Sequence, residues 1–365
     1  MSAMYLQTTT PSFAPVPRVR VHSPVPRQVW RDVYAADAEA MPTQSPEWVE
    51  CLTATGRFQD ASRLYELPGG ELAVLPLVRP RYGTRLSATH SMPVSWGYGG
   101  LVAPQEILDG ALISAVLQDF SNSASSRVHL RPNPLQADLW APLAAHRGIT
   151  AVPSRAHILD LDGGFDAVWQ SRFKSALRRE VRRAEEAGVV VETDCSGELV
   201  PVFYDLLLKS FDRWAARQRE PRWLARARGR RRDSLQKFRT VARRMGGRCQ
   251  ISVAWYDGRP TAAILVLRGG AVAHYTRGAM DADVAVPVKV NSLLHKTAIA
   301  AACRDGCRRY HMGDSGFSEG LAQFKTRFGA QQHDFAEYWI ERIPVYRAGR
   351  AARTAVKTAI GFRDA

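Results

Sequence analysis

The sequence predicts an α/β fold: mixed, mostly antiparallel sheets flanked by helices, in two tandem domains. Three observations predict it. Strand-length apolar runs alternate with segments of helical spacing between Glu71 and Ile340. The last third reads strand, turn, strand, strand, helix, strand. The 365 residues suit about two domains at roughly 100–200 residues each. The expected divisions are a Pro-rich leader at 1–30, an N-terminal domain at 31–155, a C-terminal domain at 156–345 and a basic tail at 346–365.

In the first half, Glu71-Leu-Ala-Val-Leu-Pro-Leu-Val78 reads as one buried strand, and Arg79–Arg85 as a polar connection. Pro93–Pro104 is a Gly-rich apolar stretch. Leu108, Leu112, Val116 and Phe120 mark a helix over 107–122, and Arg127-Val-His-Leu-Arg131 is a short strand. The second half opens with the strand His157–Leu161 and a turn at Asp162-Gly-Gly. Asp166 is the expected cap of one helix reaching Ala187, with Trp169, Phe173, Leu177, Val181 and Ala184 as its apolar stripe. Gly188 stops it before the strand Val189–Thr193, and residues 198–216 form another helix. Cys249–Tyr256, Thr261–Leu267 and Ala271–Gly278 read as strands, the first two joined by a turn at Asp257-Gly-Arg-Pro. Asn291 is the expected cap of a helix to Gly306. The strand Arg309–Met312, the loop Gly313-Asp-Ser-Gly, a short helix Glu319–Phe328 and the strand His333–Ile340 complete the pattern. The tail reads as a basic amphipathic helix.

Composition limits the function classes. An apolar fraction of 45% with 23% charge is ordinary globular chemistry, not disorder. No apolar run approaches the ~18 residues of a membrane span, and the proline-rich start does not resemble a secretory signal, so a cytoplasmic protein is expected. Five widely spaced cysteines argue against a disulfide framework, and nine histidines without ligand spacing give no case for a metal. The net charge of +15 favours an anionic partner. It is concentrated: Arg213–Arg248 holds 14 Lys and Arg against Glu220 and Asp233. Arg172–Arg183 is a second basic stretch.

The order of the last elements is that of an N-acyltransferase of the GNAT type, and four stretches sharpen this. Arg172-Phe-Lys-Ser-Ala-Leu-Arg-Arg-Glu-Val-Arg-Arg-Ala-Glu-Glu-Ala-Gly188 resembles the helix R-x-x-I-R-K-A-E-K-x-G of FemAB-like proteins. Tyr275-Thr-Arg-Gly-Ala279 resembles their Y-x-x-G-A strand. The stretch from Ala298 to Gly313 resembles A-I-x-x-A-x-x-x-G-x-x-x-Y-D-x-G, with His311 in place of the Asp. Gly320-Leu-Ala-Gln-Phe-Lys-Thr-Arg-Phe-Gly329 resembles G-L-x-x-F-K-x-x-F-G. The resemblance covers roughly 155–345 closely, and the first half loosely through Leu75-Pro-Leu and Tyr98-Gly-Gly-Leu.

The resemblance implies two tandem GNAT-like domains and transfer of an amino acid from aminoacyl-tRNA to an amine. The acceptor is then a peptidoglycan precursor or a peptide or nucleoside natural-product scaffold. In the FemX type the Phe-Lys pair lies at the reaction centre; here that is Phe324 and Lys325. Arg213 is the nearest match to the arginine that meets substrate phosphate in that type.

Aminolysis of an ester needs an aligned amine and carbonyl and a cation for the developing oxyanion. Alignment supplies roughly 7–11 kcal/mol and one positioned donor roughly 3–4 kcal/mol. Lys325 fits the donor role; the plainer reading is a surface lysine of a short amphipathic helix. Asp314, in a loop after a strand, is a candidate base or amine-orienting carboxylate, or a turn aspartate. Tyr275 and His311 are candidate substrate contacts or core residues of their strands, and His274 reads as structural. Trp96 and Tyr98, in Trp96-Gly-Tyr-Gly-Gly100, line an acceptor cleft or form a tight turn.

For the basic stretches, Arg172, Lys174, Arg178, Arg179, Arg182, Arg183, Arg230, Arg231 and Arg232 are the expected tRNA contacts along one phosphate-tracking surface. A solvated arginine face and peripheral contact with anionic lipid are the other readings. The expected partners are charged tRNA and a small-molecule or peptide amine, with aminoacyl-tRNA as co-substrate and no further cofactor. Acyl-CoA as donor is the alternative. Val286-Pro-Val-Lys-Val-Asn-Ser-Leu-Leu294 weakens it, because it has no glycine and Pro287 removes an amide, although Lys289 remains to meet a phosphate. A non-catalytic RNA-binding module is the second alternative.

Overall fold

A computed structural model describes residues 16–84, 87–122, 127–316 and 318–342, with 346, 348 and 349 beyond them. The first half of the expected leader and nearly all of the expected basic tail lie outside the described residues.

The N-terminal half contains strands β1 (Arg20–His22), β2 (Phe58–Asp60), β3 (Arg63–Glu66), β4 (Leu72–Leu75), β5 (Val78–Pro80), β6 (Thr89–His90) and β7 (Arg127–Leu130). Its helices are α1 (Arg27–Ala36), α2 (Pro46–Thr53), α3 (Gly110–Asn122) and α4 (Ala137–His146). Then follow β8 (Thr150–Asp160), α5 (Gly164–Ala167), α6 (Ser175–Glu186), β9 (Val190–Asp194), α7 (Val200–Gln218), α8 (Arg222–Arg232) and α9 (Leu235–Met245). The chain closes with β10 (Cys249–Tyr256), β11 (Arg259–Gly269), β12 (Val272–Met280), α10 (Ala282–Ala285), α11 (Val290–Arg304), β13 (Arg309–Asp314), α12 (Glu319–Thr326) and β14 (Gln331–Glu341).

Eleven strands form one sheet in the order β2-β5-β6-β7-β14-β8-β13-β12-β11-β10-β9, and β1, β3 and β4 form a small second sheet. The final strand joins the halves: β14 pairs with β8 over Gln331–Trp339 and with β7 over Tyr338–Glu341. β8 runs unbroken through the expected junction at 155/156. Each half contains a strand–helix–strand crossover that returns in parallel. β6, α3 and β7 bring His90 opposite His129, and β12, α11 and β13 bring His274 opposite His311. The parallel contact is short in both cases.

β11 separates the molecule's two helical layers. Ala262, Ile264 and Val266 pack with α6 and α11, whereas Ala263, Leu265 and Leu267 pack with α7 and α9. Successive strand side chains point to opposite faces, so α6 and α7 must lie on opposite sides of the sheet. Residues 249–254 and 261–267 are buried throughout, which is why both read as continuous apolar runs rather than alternating ones.

Several expected elements differ. The strand 71–78 divides around Pro76: β4 joins the small sheet and β5 the large one, because proline has no N–H for a ladder. The helix 166–187 is interrupted. A π-turn at Val168–Arg172 ends in extended Phe173 and Lys174, and α6 starts afresh at Ser175. The break is held by the Lys174 amide on the Arg327 carbonyl at 2.9 Å, and by Arg178, whose guanidinium caps the carbonyls of Trp169, Gln170 and Phe173. Gly329, at φ +83°, fits against the Arg172 backbone there. Asp166 lies inside α5 and does not cap it. Asn291 is not the cap of α11; left-handed Lys289 is, and the Asn291 side chain turns to the Met280 sulfur.

Gly100 carries a testable constraint on the loop that delivers Tyr98. It sits at φ +83°, and a Cβ there would stand 2.6 Å from the Pro132 Cα. Gly100→Ala should therefore cost roughly 1–3 kcal/mol. Urea denaturation measures it, and an unchanged midpoint would contradict the close approach.

Candidate active site

The site begins where β12 and β13 part. Their parallel pairing lasts for Val272–Arg309, Ala273–Tyr310 and His274–His311. β12 then stays with β11, through a bulge that leaves Thr276 between the paired Tyr275 and Arg277, while β13 stays with β8. The divergence makes a wedge. Tyr275 stands on one wall and Gly313, at φ +71°, on the other; a Cβ on Gly313 would come 3.3 Å from the Tyr275 carbonyl.

α12 closes this wedge. The Ser318 hydroxyl accepts the Leu321 amide and starts the helix. Lys325 is 3% exposed, and its Nζ donates to the carbonyls of Gly313 at 2.8 Å and Asp314 at 2.6 Å. An ammonium has three protons, so one remains. Burial pushes the Lys325 pKa down to about 8, against the opposing pull of Asp314. Phe324 and Phe328 pack on the His295 ring at 5.6 and 5.4 Å, and Tyr275 meets it at 4.6 Å. Burial, with Lys325 nearby, lowers His295 to about 3, so it is a neutral ring.

Both halves of the chain contribute. The Tyr98 hydroxyl and the Arg131 guanidinium, from the N-terminal half, hold the two carboxylate oxygens of Asp314. Arg131 lies over the Tyr98 ring and also faces Glu337 at 3.3 Å. Glu337 continues to His129 at 2.9 Å, and His129 to His90 at 3.2 Å. Burial and the Asp314 charge push the Tyr98 hydroxyl far above its ordinary pKa, so it donates. Asp314 is thus first an anchor: each oxygen already has a donor, which opposes its use as a free base.

The sequence-derived candidates therefore separate. Lys325, Phe324, Asp314, Tyr98 and Tyr275 come together at the wedge. His311 comes there too, 1% exposed with its ring 4.6 Å from that of Tyr98. Its Nδ1 accepts the Gly313 amide at 3.0 Å, so the proton of the neutral ring sits on Nε2. Trp96 is elsewhere. Its ring lies 4.2 Å from the Lys237 Nζ, in a buried network where Asp233 takes Lys237, Arg277 and Arg232. Arg213 is half-buried on α7 and donates to the Met280 carbonyl at 3.3 Å.

The basic residues do not form one track, because α6 and α8 attach to opposite faces of the sheet. On α6 and just before it, Lys174, Arg179, Arg182 and Arg183 are exposed. Arg172 and Arg178 are engaged with backbone carbonyls. On α8, Arg230 and Arg231 are exposed, whereas Arg232 pairs with Asp233. Lys174 adjoins the site directly through its amide on Arg327, two residues after Lys325.

Residues that sequence reading missed include Arg131, Glu337, His295 and Glu180. Arg131 and Glu337 look like ordinary strand ends, and nothing local reveals that their strands converge. Glu180 sits at the N-terminal end of α11. It accepts the Ser292 hydroxyl and the Arg327 guanidinium, both at 2.8 Å, and lies 3.9 Å from Lys289. Burial opposes its ionisation, but these bonds win and hold its carboxyl below the usual range.

An acetyltransferase (GNAT) domain model matches residues 171–341. The structure of FemX superposes with a TM-score of 0.68 at 13% identity, covering 90% of this chain and 99% of that one. Residues 171–341 are thus matched as a GNAT domain, and the chain has the fold of FemX. The C-terminal domain of a putative lysylphosphatidylglycerol synthetase from Agrobacterium fabrum is similar at a TM-score of 0.53 and 16% identity, over 90% and 96% of the two chains. A conserved protein of unknown function from Bacteroides thetaiotaomicron reaches 0.54 at 8% identity, over 86% and 97%. No curated protein matches the sequence. In this fold the wedge between β12 and β13, inside the matched GNAT domain, is the candidate site. Among the described residues no cluster of three or more His, Cys, Asp or Glu could hold a metal, and no helix is long and apolar enough to cross a membrane.

The lowered Lys325 pKa has a stability consequence. The folded pKa, about 8, lies below the ordinary lysine value of 10.5, so the unfolded state binds more protons between them. Wild type should gain stability relative to Lys325→Met as pH rises from about 7 to about 10, by up to about 3 kcal/mol. Denaturant titrations of both proteins measure the difference, and a pH-independent one would contradict the burial of a charged amine.

Proposed function

We propose that the protein is an aminoacyltransferase that moves an amino acid from aminoacyl-tRNA to an amine and forms an amide bond. One observation carries this reading: a buried ammonium, Lys325, at the mouth of two splayed strands, on an element bonded directly to the start of a basic helix. The FemX fold and the Phe324-Lys325 motif support it. The acceptor is a peptidoglycan precursor or a peptide or nucleoside scaffold.

In this reading the acceptor amine attacks the ester carbonyl at the wedge. The C–N bond forms first, the remaining Lys325 proton meets the oxyanion this creates, and the ester C–O bond then breaks as the amine's proton passes to the departing ribose oxygen. Tyr98 and Arg131 keep Asp314 and the β13 carbonyls in place, so Lys325 does not reorganise during the reaction. A preorganised donor in a dry site is worth roughly 3–4 kcal/mol. The exposed Lys174, Arg179, Arg182 and Arg183 take phosphates of the acceptor arm, by charge and shape rather than by base reading. Arg230, Arg231 and Arg232 are left out of this surface because they stand across the sheet.

The Glu180 carboxylate supports tRNA over acyl-CoA as donor. It occupies the Ser292 hydroxyl and faces Lys289 at the end of α11 where a diphosphate would need donors. A second anion placed there meets like charge.

Incubation with pooled charged tRNA and a panel of amines tests the reading directly: label should leave tRNA and enter an amide product. Thiol release from acyl-CoA with charged tRNA untouched would overturn it. Lys325→Met should lower kcat ~100-fold or more while sparing tRNA binding. In wild type kcat should fall as pH rises through about 8, where Lys325 loses its proton. Replacing Arg179, Arg182 and Arg183 together with Glu should weaken tRNA binding and flatten its steep salt dependence. Filter binding across a salt series checks this, and unchanged affinity would remove α6 from the interface.

A further inference from the structure

α8 remains unexplained by the transfer reaction. Six of its eleven residues are arginine, and its buried residues are Ala225 and Gly229. Gly229 lies so close to the Phe211 ring that a Cβ would approach it to 2.5 Å. Small residues inward let the helix lie against α7, and the larger residues are exposed except Arg232, which is half-buried.

The outward side combines charge with apolar surface. Trp223 is 72% and Leu224 41% exposed. Two loops attach at the C-terminal end of α8. Arg57 donates to the Arg231 carbonyl at 2.7 Å and accepts, through its own carbonyl, the Arg81 amide; Tyr82, next in the chain, is 90% exposed. Lys237 holds the Ser95 carbonyl at 2.8 Å beside Asp233, the residue that ends α8, and neighbouring Val94 is 69% exposed. A shallow depression of about 420 Å³ lies between Arg222, Trp223, Arg226 and Arg230. Arg226, Arg228 and Arg232 have acidic partners in Asp212, Glu220 and Asp233. Arg230, Arg231 and Arg81 have none among the described residues.

We propose that this edge is a docking surface for an anionic lipid bilayer, distinct from the α6 surface. Guanidinium groups meet lipid phosphates, and Trp223, Leu224, Tyr82 and Val94 enter the headgroup layer. Trp and Tyr favour that layer, and arginine stems lie along apolar surface while their heads stay wet. The aliphatic side chains decide for lipid over RNA. A phosphate backbone attracts the arginines equally, but it offers Leu224 and Val94 no apolar phase. Anionic headgroups offer both. The inference does not rest on the tRNA reading, because α8 lies across the sheet from Lys325.

Sedimentation of the full chain with vesicles tests it. Wild type should pellet with phosphatidylglycerol–phosphatidylcholine vesicles and stay in solution with phosphatidylcholine alone. Replacing Arg222, Arg230 and Arg231 with Glu should weaken binding at least about tenfold, and Trp223→Ala severalfold, both with an unchanged melting temperature. The Arg179, Arg182 and Arg183 replacement should bind vesicles like wild type. Failure of wild type to pellet with anionic vesicles overturns the proposal. So does binding indifferent to the α8 variants. So does a Trp223→Ala protein that binds vesicles normally but has lost affinity for bulk tRNA, which would make α8 an RNA surface.

Discussion

Asp314 is the joint on which the candidate site depends. Its carboxylate holds Tyr98 and Arg131 from the N-terminal half, and its backbone carbonyl holds Lys325 from α12. Removing ions from water costs several kcal/mol each, so such a cluster persists only when every charge has a partner. The Glu337, His129 and His90 chain continues the pairing away from the wedge. The result is a cation whose position is fixed by one strand, a helix and, through Asp314, two residues from the other half of the molecule. In the proposed transfer, a donor held this way would be in place before the substrate arrives, as stabilising a developing oxyanion requires.

The sheet that builds the wedge also sorts the charge. Alternation along β11 sends α6 to one face and α7, with α8 on its back, to the other. An excess of arginine that looks like one polyanion-binding stripe in the chain becomes two surfaces with different chemistry. The α6 surface is charge without exposed aromatics and adjoins Lys325. The α8 surface mixes arginine with Trp223, Leu224, Tyr82 and Val94. Steering of an anionic partner depends on where charge sits, not on its sum.

At the N-terminal end of α11 the chain has turned a common anion site into an internal contact. Glu180, anchored by Arg327 and Ser292, places a carboxylate where helix dipole and free donors would welcome a phosphate. The same contact ties α6 to α11 and to the residue after α12, so the basic helix is registered against the element that carries Lys325.

Much of this was legible in the order of residues. The strands at 249–267, the crossover helix after 290 and the Phe324-Lys325 helix follow from apolar period and from turn residues at fixed spacing, which are local properties. Phe324 and Lys325 stood out through motif resemblance and Asp314 through its loop after a strand; that they meet one another is a tertiary fact. The interruption at Phe173 was not legible, because an amphipathic stripe continues through it and only contacts with Arg327 and Gly329 break the helix. Nor was the displacement of Trp96 from Tyr98, two residues away, since left-handed Gly97 sends them to different partners. The sequence by itself determined the elements, the charge and the residues able to do the chemistry, because these depend on side chains close together in the chain. Only the tertiary structure decided which of them meet: the face a helix covers is set by strand alternation and by pairings such as β14 with β7, made across some two hundred residues that carry no local trace of it.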